Sequence, residues 1–400
     1  MIDFELPEEV EALRRRVRDF SRDCLRPAED ALDRIADPEE AFRSETMRSF
    51  LGAAYDLDLH KLNLPTSVGG LGAPPFAGPV IQEELAAGGG GLASHLLVTP
   101  IVAGMIASGN LGERHRFYRD YLEAYMEDKK GEHSSAWAIT EPNVGSDLFD
   151  FQRPDNRLET KATPDGEGFI ISGHKSAFVS NGWMADAILL MVAMEPDKGM
   201  LGTGVFLIPG DLPGMSRGKP LNKLGLRALN QAEIFFDDVF VPREFLSMPA
   251  SPAYRMVLER IVTGGNTSVG LIALGVARCA FEEGLAYAKS RRQGGKPIFE
   301  HQLIADKLFR AFRSIEAARA LLWKSSWLIS KGQASLPTAM AARTFASDAC
   351  MDITRDMVQV MGGYGISREN HAEKLYRDAK LLQIMDGTNE VVSMTAAARL

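Results

Sequence analysis

The segment Gln359–Thr388, QVMGGYGISRENHAEKLYRDAKLLQIMDGT, carries three marks in a fixed order: a glycine pair, an Arg-Asp pair and a lone acid before Gly-Thr. Gly362 and Gly363 leave the backbone bare, so a large ligand can approach it closely. Arg377 and Asp378 can lock a turn, and Asp386 sets a carboxylate at the lip of whatever is bound. Each mark is common alone; their order is not.

Outward from this segment the periodicity divides the chain. Ile304, Leu308, Ala311, Ile315, Ala318, Leu322 and Ile329 step by three or four residues, one apolar stripe along a long helix. Between about Ser134 and Pro242 the pattern is that of short strands. Leu158–Thr163 and Phe169–Gly173 flank a Gly-containing turn, a hairpin signal. Ala187–Ala193 and Gly204–Ile208 are buried apolar runs, and Ala232–Val241 carries a bend at Asp237-Asp238. Before about residue 131 helices alternate with Gly/Pro loops, of which Leu64–Pro75 is the clearest. The pattern predicts an α+β chain: an all-α domain over 1–131, an antiparallel β domain over 132–246 and a helical domain over 247–400.

Four hundred residues exceed what one core usually serves, in keeping with several domains. A net charge of -8 argues against nucleic acid or an anionic membrane as partner. Arg14, Arg15, Arg16 and Arg18 lie opposite Val10, Leu13, Val17 and Phe20 at helical spacing, which predicts a solvated face. Cys24, Cys279 and Cys350 form no CxxC pair, so reduced thiols and a cytoplasmic location are expected. The start is acidic, with Pro7, Glu8 and Glu9 suited to a helix N-terminus rather than to a basic targeting peptide. No apolar run reaches about 18 residues, so no membrane span is expected. The seven histidines have no metal-ligand spacing, and no metal is predicted. No G-x-G-x-x-G opens a helix after a strand, which argues against a nicotinamide cofactor.

The ordered marks resemble the flavin-dependent acyl-CoA dehydrogenases, and three more segments match that family in sequence order. Trp137–Asp147 (WAITEPNVGSD) resembles its loop over flavin and substrate, and Leu221–Pro242 the strand pair closing its middle domain. Tyr287–Gln302 resembles the helix end that reaches the flavin of a partner subunit. The resemblance runs from about Phe4 to the C-terminus and implies a C-terminal four-helix bundle, FAD as cofactor and an acyl-CoA thioester as substrate. By matching position, FAD contacts fall to Trp137, Ile139, Thr140, Gly145, Ser146, Phe178, Ser180, Arg291, Gln293, Gln302, Gln359, Gly362, Gly363, Thr388 and Asn389. Ser146, Val257, Arg260 and Gly387 are expected to meet the substrate. Two departures stand out. Phe178 stands where many members have Trp, and Gln293-Gly294-Gly295 lacks an aromatic common after the arginine.

The reaction implied is α,β-dehydrogenation. A base removes the Cα proton while hydride leaves Cβ for flavin N5, a task no side chain can accept. Most members place Glu before Gly-Thr; here Asp386 is one methylene shorter. Glu259 lies on the helix opening the third domain, where the isovaleryl- and long-chain enzymes take their base. Both acids therefore stand as candidates, and if they face one pocket, repulsion and burial should raise one pKa. Gly88–Gly91 reads either as a helix break or as a side-chain-free wall beside a bulky acyl group. Electron-transfer flavoprotein is the implied acceptor and a homo-oligomer, a dimer or dimer of dimers, the implied assembly. The alternatives are an oxidase or monooxygenase of the same fold, or a non-catalytic acyl-CoA-binding subunit of a hetero-oligomer.

Overall fold

In the computed structural model, residues 5–74, 76–109, 111, 115–151, 153 and 155–400 are described. Phe4 and Pro75, the outer ends of the resemblance and of the predicted loop, lie outside them. The chain opens with helices α1 (Glu8–Phe20), α2 (Arg26–Arg34), α3 (Pro38–Arg43), α4 (Glu45–Asp56), α5 (Ala77–Gly88), α6 (Gly90–Val98), α7 (Ile101–Ser108) and α8 (Arg116–Glu127). Strands follow: β1 (Ser135–Ala138), β2 (Lys161–Asp165), β3 (Gly168–Ser180), β4 (Ala187–Ala193), β5 (Thr203–Pro209), β6 (Met215–Arg217), β7 (Gln231–Pro242) and β8 (Leu246–Met248). The third part holds α9 (Ala253–Ser290), a small hairpin β9 (Arg292–Gln293) and β10 (Lys296–Pro297), then α10 (Gln302–Ser330), α11 (Leu336–Met361), α12 (His371–Leu382) and α13 (Asn389–Ala397).

The expected α+β order holds, with one correction to the sheet. Its order is β6-β7-β3-β2-β4-β5-β8, and most neighbours are antiparallel. β1, however, pairs with β4 in parallel, and Lys161 of β2 meets Ala193 of β4 in parallel. The sheet is mixed because the chain leaves it after β1 and re-enters it at β2. The hairpin is tighter than predicted: Asp165 pairs with Gly168, and Gly166 turns the chain at φ 56°. The bend at Asp237-Asp238 is a bulge, with Asp238 at φ 47° and a shift in register against Ile171 and Gly173 of β3.

Helices α9 to α12 form the bundle. The stripe on α10 is buried at Leu308, Ala311, Ile315, Ala318 and Leu322, whereas Ile329 lies off it, 37% exposed. α9 runs through the whole molecule: Tyr254 packs under Met191 of the sheet at one end, and Arg291 ends the helix at the other.

Arg14 and Arg18 do not simply face water, since both bond Glu84 of α5, as does Arg278 of α9 at 2.6 Å. Burial opposes ionisation of Glu84, yet Arg278 and Arg18 hold its pKa down to about 2. Arg377 and Asp378 lock more than their own turn. Arg377 grips Asp33 of α2 at 2.6 and 2.9 Å, while Asp378 bonds Lys374 at 2.6 Å and accepts the N–H of Leu226 in the loop before β7. Lys374 also bonds Glu29, which caps α6 through the N–H groups of Gly91 and Leu92. Three residues of α12 thus fasten all three parts of the chain.

The run Gly88–Gly91 is not a pocket wall. A Cβ on Gly88 would lie 2.3 Å from Ser21, on Gly89 2.5 Å from Glu29, on Gly90 2.8 Å from Leu226 and on Gly91 2.9 Å from Glu29. The glycines admit α2 and the 226–229 loop, and the helix-break reading holds. Gly90–Ser108 is, contrary to expectation, long and apolar enough to cross a membrane by length and composition. It is 61% buried inside the protein and split into α6 and α7 at Thr99-Pro100, as a core segment would be.

Candidate active site

The loop after β1 is held from beneath by a pair of opposite charges. Glu141 and Lys175 of β3, both 0% exposed, meet at 2.6 Å. Lys175 also donates to the carbonyl of Ile139, and Glu141 accepts the N–H groups of Glu159 and Thr160. A buried pair with its remaining hydrogen-bonding capacity filled in this way is tolerable, and breaking it leaves an uncompensated charge. Glu141 bridges to Val144 across Pro142-Asn143, which turns the chain so that Gly145 and Ser146 follow. The N–H of Ser176 bonds the carbonyl of Thr140, laying this loop beside β3.

Two extra residues loosen β3 between Lys175 and Val179. Phe178 stands 63% exposed on this irregular stretch. Gln231 donates to the Phe178 carbonyl at 3.1 Å and to the Ser180 hydroxyl at 3.3 Å, which fixes the strand end.

The turn at 385–388 closes over the middle of α9. Asp386 adopts φ 55° and Gly387 φ 96°, the left-handed region that costs an L side chain of order 1 kcal/mol or more. A buried arginine holds it there. Arg343 of α11 donates to the carbonyls of Met385 (2.5 Å) and Gly387 (2.6 Å), more distantly to that of Asp386 (3.5 Å), and to Asn266 Oδ1 on α9 (3.1 Å). The N–H of Thr388, which opens α13, donates to Ser146 Oγ at 3.1 Å. The Ser146 hydroxyl therefore joins the loop to the turn, and among the described residues its own proton has no acceptor.

Asp386 Oδ2 lies 3.7 Å from where a Cβ on Gly265 of α9 would sit. Asp386 is solvent-exposed as a residue, yet protein is packed densely around its carboxylate. That enclosure raises its pKa above the ordinary aspartate range, and the Arg343 charge offsets only part of the rise. The residue also lacks any ion-pair partner within 4 Å among the described residues. Glu259 differs in every respect. It bonds Arg399 at 2.9 Å and Arg255 at 3.1 Å, and these outweigh burial to lower its pKa. Six residues separate it from Gly265, which on a helix places it roughly 120° around the axis. Asp386 is perturbed by burial, not by a second acid. Val257 is half-buried, Arg260 is exposed, and Gly264 faces open space.

The other expected contacts gather elsewhere. Arg291, Gln293, Gln302 and Gln359 are exposed at the far end of the bundle, where α9 and α11 stop and α10 starts. Gly362 (φ 61°) and Gly363 face open space beside them. Gly294 (φ 57°) and Gly295 (φ 82°) form the two-residue turn of the β9–β10 hairpin, a geometry that explains glycines where the family has an aromatic. Asn389 spends its amide on Ser347 and Asp348 of α11. Cys279, Glu283 and His371 bring ligand atoms within 4.8 Å of one another, a grouping the spacing gave no sign of. Arg26 already supplies the positive charge there, bonding Glu283 at 2.8 Å and Cys279 Sγ at 2.5 Å.

Sequence reasoning missed Arg343, Lys175 and Gln231. Arg343 left one sign: it sits three or four residues from Ala339, Met340, Ala346 and Ser347, on the apolar face of its helix. A charge on that face needs buried acceptors.

Residues near the loop suit a flat aromatic cofactor. Among the described residues, the Trp137 indole N–H and the Ser176 hydroxyl are buried without a partner, Gly145 has nothing within 4 Å of its missing Cβ, and Phe178 offers a bare ring. At the other end Arg291 has no ion-pair partner among the described residues, as a phosphate-binding guanidinium requires.

Three family profiles match the chain: Acyl-CoA dehydrogenase, N-terminal domain, at residues 7–125; middle domain, at 136–239; and C-terminal domain, at 255–400. The short-chain-specific acyl-CoA dehydrogenase of Clostridium acetobutylicum is 30% identical, over 100% of both chains. The cyclohexane-1-carbonyl-CoA dehydrogenase of Geobacter metallireducens is 29% identical over 99% of this chain and 98% of its own. Among solved structures, butyryl-CoA dehydrogenase from Megasphaera elsdenii superposes with a TM-score of 0.87 at 28% identity, covering 100% of this chain and 99% of that one. With loop, turn and bundle end in place, the chain belongs to the acyl-CoA dehydrogenase family of oxidoreductases, whose cofactor is FAD.

Proposed function

We propose that this enzyme dehydrogenates an acyl-CoA thioester to the enoyl-CoA with Asp386 as the base. The observation that carries the reading is the contrast in partners: the Asp386 carboxylate is unpaired over the bare Gly265 surface, whereas Glu259 is held by two arginines. A raised pKa brings Asp386 nearer to the range in which a carboxylate removes a weakly acidic proton at neutral pH. The N–H groups of Asp386 and Gly387 make no hydrogen bond among the described residues and are suited to the thioester carbonyl oxygen, where charge grows as the proton leaves. Trp137, Thr140, Gly145, Phe178 and Ser180 would hold the flavin ring, which when bound supplies the hydride acceptor. Ser146 would then donate its remaining proton into the cleft.

Gly265 and Arg291 lie about 39 Å apart along α9, so the phosphate-binding groups are remote from the Asp386 turn of the same chain. This separation supports a cofactor shared between copies, as a dimer or dimer of dimers. Electron-transfer flavoprotein fits as acceptor for the reduced cofactor, and the reduced thiols fit a cytoplasmic location. The relatives' names point to two acyl classes, short straight chains and a saturated ring. With the glycine run packed, nothing in that segment favours the ring.

The test is anaerobic bleaching of the bound flavin by butyryl-CoA, longer straight esters and cyclohexane-1-carbonyl-CoA. One class should bleach it within seconds, and reoxidation by air should be slow. No bleaching by any ester would refute the reading; rapid reoxidation by air would favour an oxidase instead.

A further inference from the structure

We propose that Arg343 is the positioning residue for the proton-abstracting carboxylate: by gripping the backbone of residues 385–387 it sets where the Asp386 side chain reaches. The inference rests on the reading of Asp386 as the base. Arg343 is 0% exposed and has no carboxylate within ion-pairing distance among the described residues. A buried guanidinium without a counter-ion is expensive, and its donors here go mainly to carbonyls of one turn. Burial lowers its pKa to about 10, so it remains charged at neutral pH.

That turn has two properties a grip would serve. Asp386 sits in left-handed backbone, which relaxes unless its surroundings hold it. Its side chain is also short, so small backbone shifts move the carboxylate out of reach, and a 1 Å misplacement can cost about 10²-fold in rate. Gly265 completes the seat, because the carboxylate lies against α9 there, in ordinary contact range of where a Cβ would stand. Arg343 joins the same turn to α9 through Asn266, so base and seat are fixed relative to each other.

A plain structural staple would use the same bonds, so the test needs a readout that a staple leaves alone. Charged groups on the elements around the turn are Arg343 and Asp348 (α11), Lys380 (α12), Glu390 (α13), and Glu259 and Arg260 (α9). Asp348 is engaged by Gln383 and Asn389, and Glu259 by arginines, while Arg343 is the one that bears on Asp386. Its charge favours the ionised, active form. Removing it raises the Asp386 pKa further and moves the acid limb of proton abstraction to higher pH.

The experiment uses the FAD-loaded oligomer and a 3-thia-acyl-CoA, whose Cα proton can leave but whose sulfur has no hydride to give. Exchange of the Cα hydrogens with solvent deuterium is followed by NMR across pH, with FAD content and enoyl-CoA affinity measured alongside. Arg343→Met should slow exchange about 100-fold. Its acid limb should move to higher pH, with full FAD and enoyl-CoA affinity within about 3-fold of the parent. Arg343→Lys keeps the charge but not the planar fork; it should slow exchange about 10-fold with the limb unmoved. Exchange in Arg343→Met within about 3-fold of the parent, or a loss that only tracks FAD content with the limb unmoved, would overturn the proposal. If Arg343→Met does not fold, parental exchange in Arg343→Lys overturns it alone. Asp386→Asn is the separate control: parental exchange there sinks the base itself rather than its positioning.

Discussion

The two acids offered by the sequence end in opposite surroundings. In the first turns of α9, Glu259 is bracketed by Arg255 and Arg399 on a half-exposed face, and its pKa falls. In the turn at 385–388, the peptide carbonyls receive the arginine while the carboxylate receives none, and its pKa rises. A charge partner has been placed on the backbone of the proposed base and withheld from its side chain. A paired carboxylate is held in its ionised form; an unpaired one that is partly desolvated is costly, which suits the base proposed here.

Substitution at the two acids should separate them most widely. Asp386→Asn is expected to lower the rate of anaerobic flavin reduction by about 10³-fold, and Glu259→Gln by no more than about 3-fold. Comparable losses from both would erase the contrast. The next effect is on stability, at an acid paired as fully as Asp386 is bare. Glu84→Gln should destabilise the fold by about 3 kcal/mol at neutral pH, measured by urea denaturation. Because the Glu84 pKa is lowered to about 2 in the folded chain, its contribution is present above the unfolded value and is lost as pH falls towards 2. A penalty that persists unchanged in acid would show that the Glu84 charge is not what matters.

The sign reverses at Asp386. A folded-state pKa above the unfolded one means that ionisation opposes folding at neutral pH and that the opposition fades as pH falls. Asp386→Asn, which tolerates the same left-handed backbone, should raise Tm slightly at neutral pH, with the gain shrinking in acid. A lowered Tm would mean that the carboxylate is paired after all. The smallest effect is expected at Arg399→Ala, which frees one side of Glu259. Stability should change by less than about 1 kcal/mol and flavin reduction not at all. A marked rate change would return Glu259 to the mechanism.

Much of this arrangement was legible in the sequence because it is local. Periods of two and three-to-four residues gave the order of helices, sheet and bundle, and Asp237-Asp238 announced its bulge. What failed was long-range. Whether Gly88–Gly91 borders a pocket depends on what a missing Cβ would strike, and Ser21, Glu29 and Leu226 come from distant parts of the chain. Arg377 and Asp378 were recognisable as a locking pair, but not their partners Asp33 and Leu226. Gly294-Gly295 read as a lost ring until the hairpin supplied the reason for two positive φ angles. Arg343 shows the limit most clearly, since its acceptors are carbonyls, which carry no residue identity.

Proton abstraction can be separated from hydride loss, and that separation gives the most direct test. A 3-thia-acyl-CoA incubated in deuterated buffer with the parent enzyme, Asp386→Asn and Glu259→Gln reports the Cα proton alone. Rapid exchange is expected in the parent and in Glu259→Gln, and none above background in Asp386→Asn. Exchange that survives in Asp386→Asn and vanishes in Glu259→Gln would contradict it.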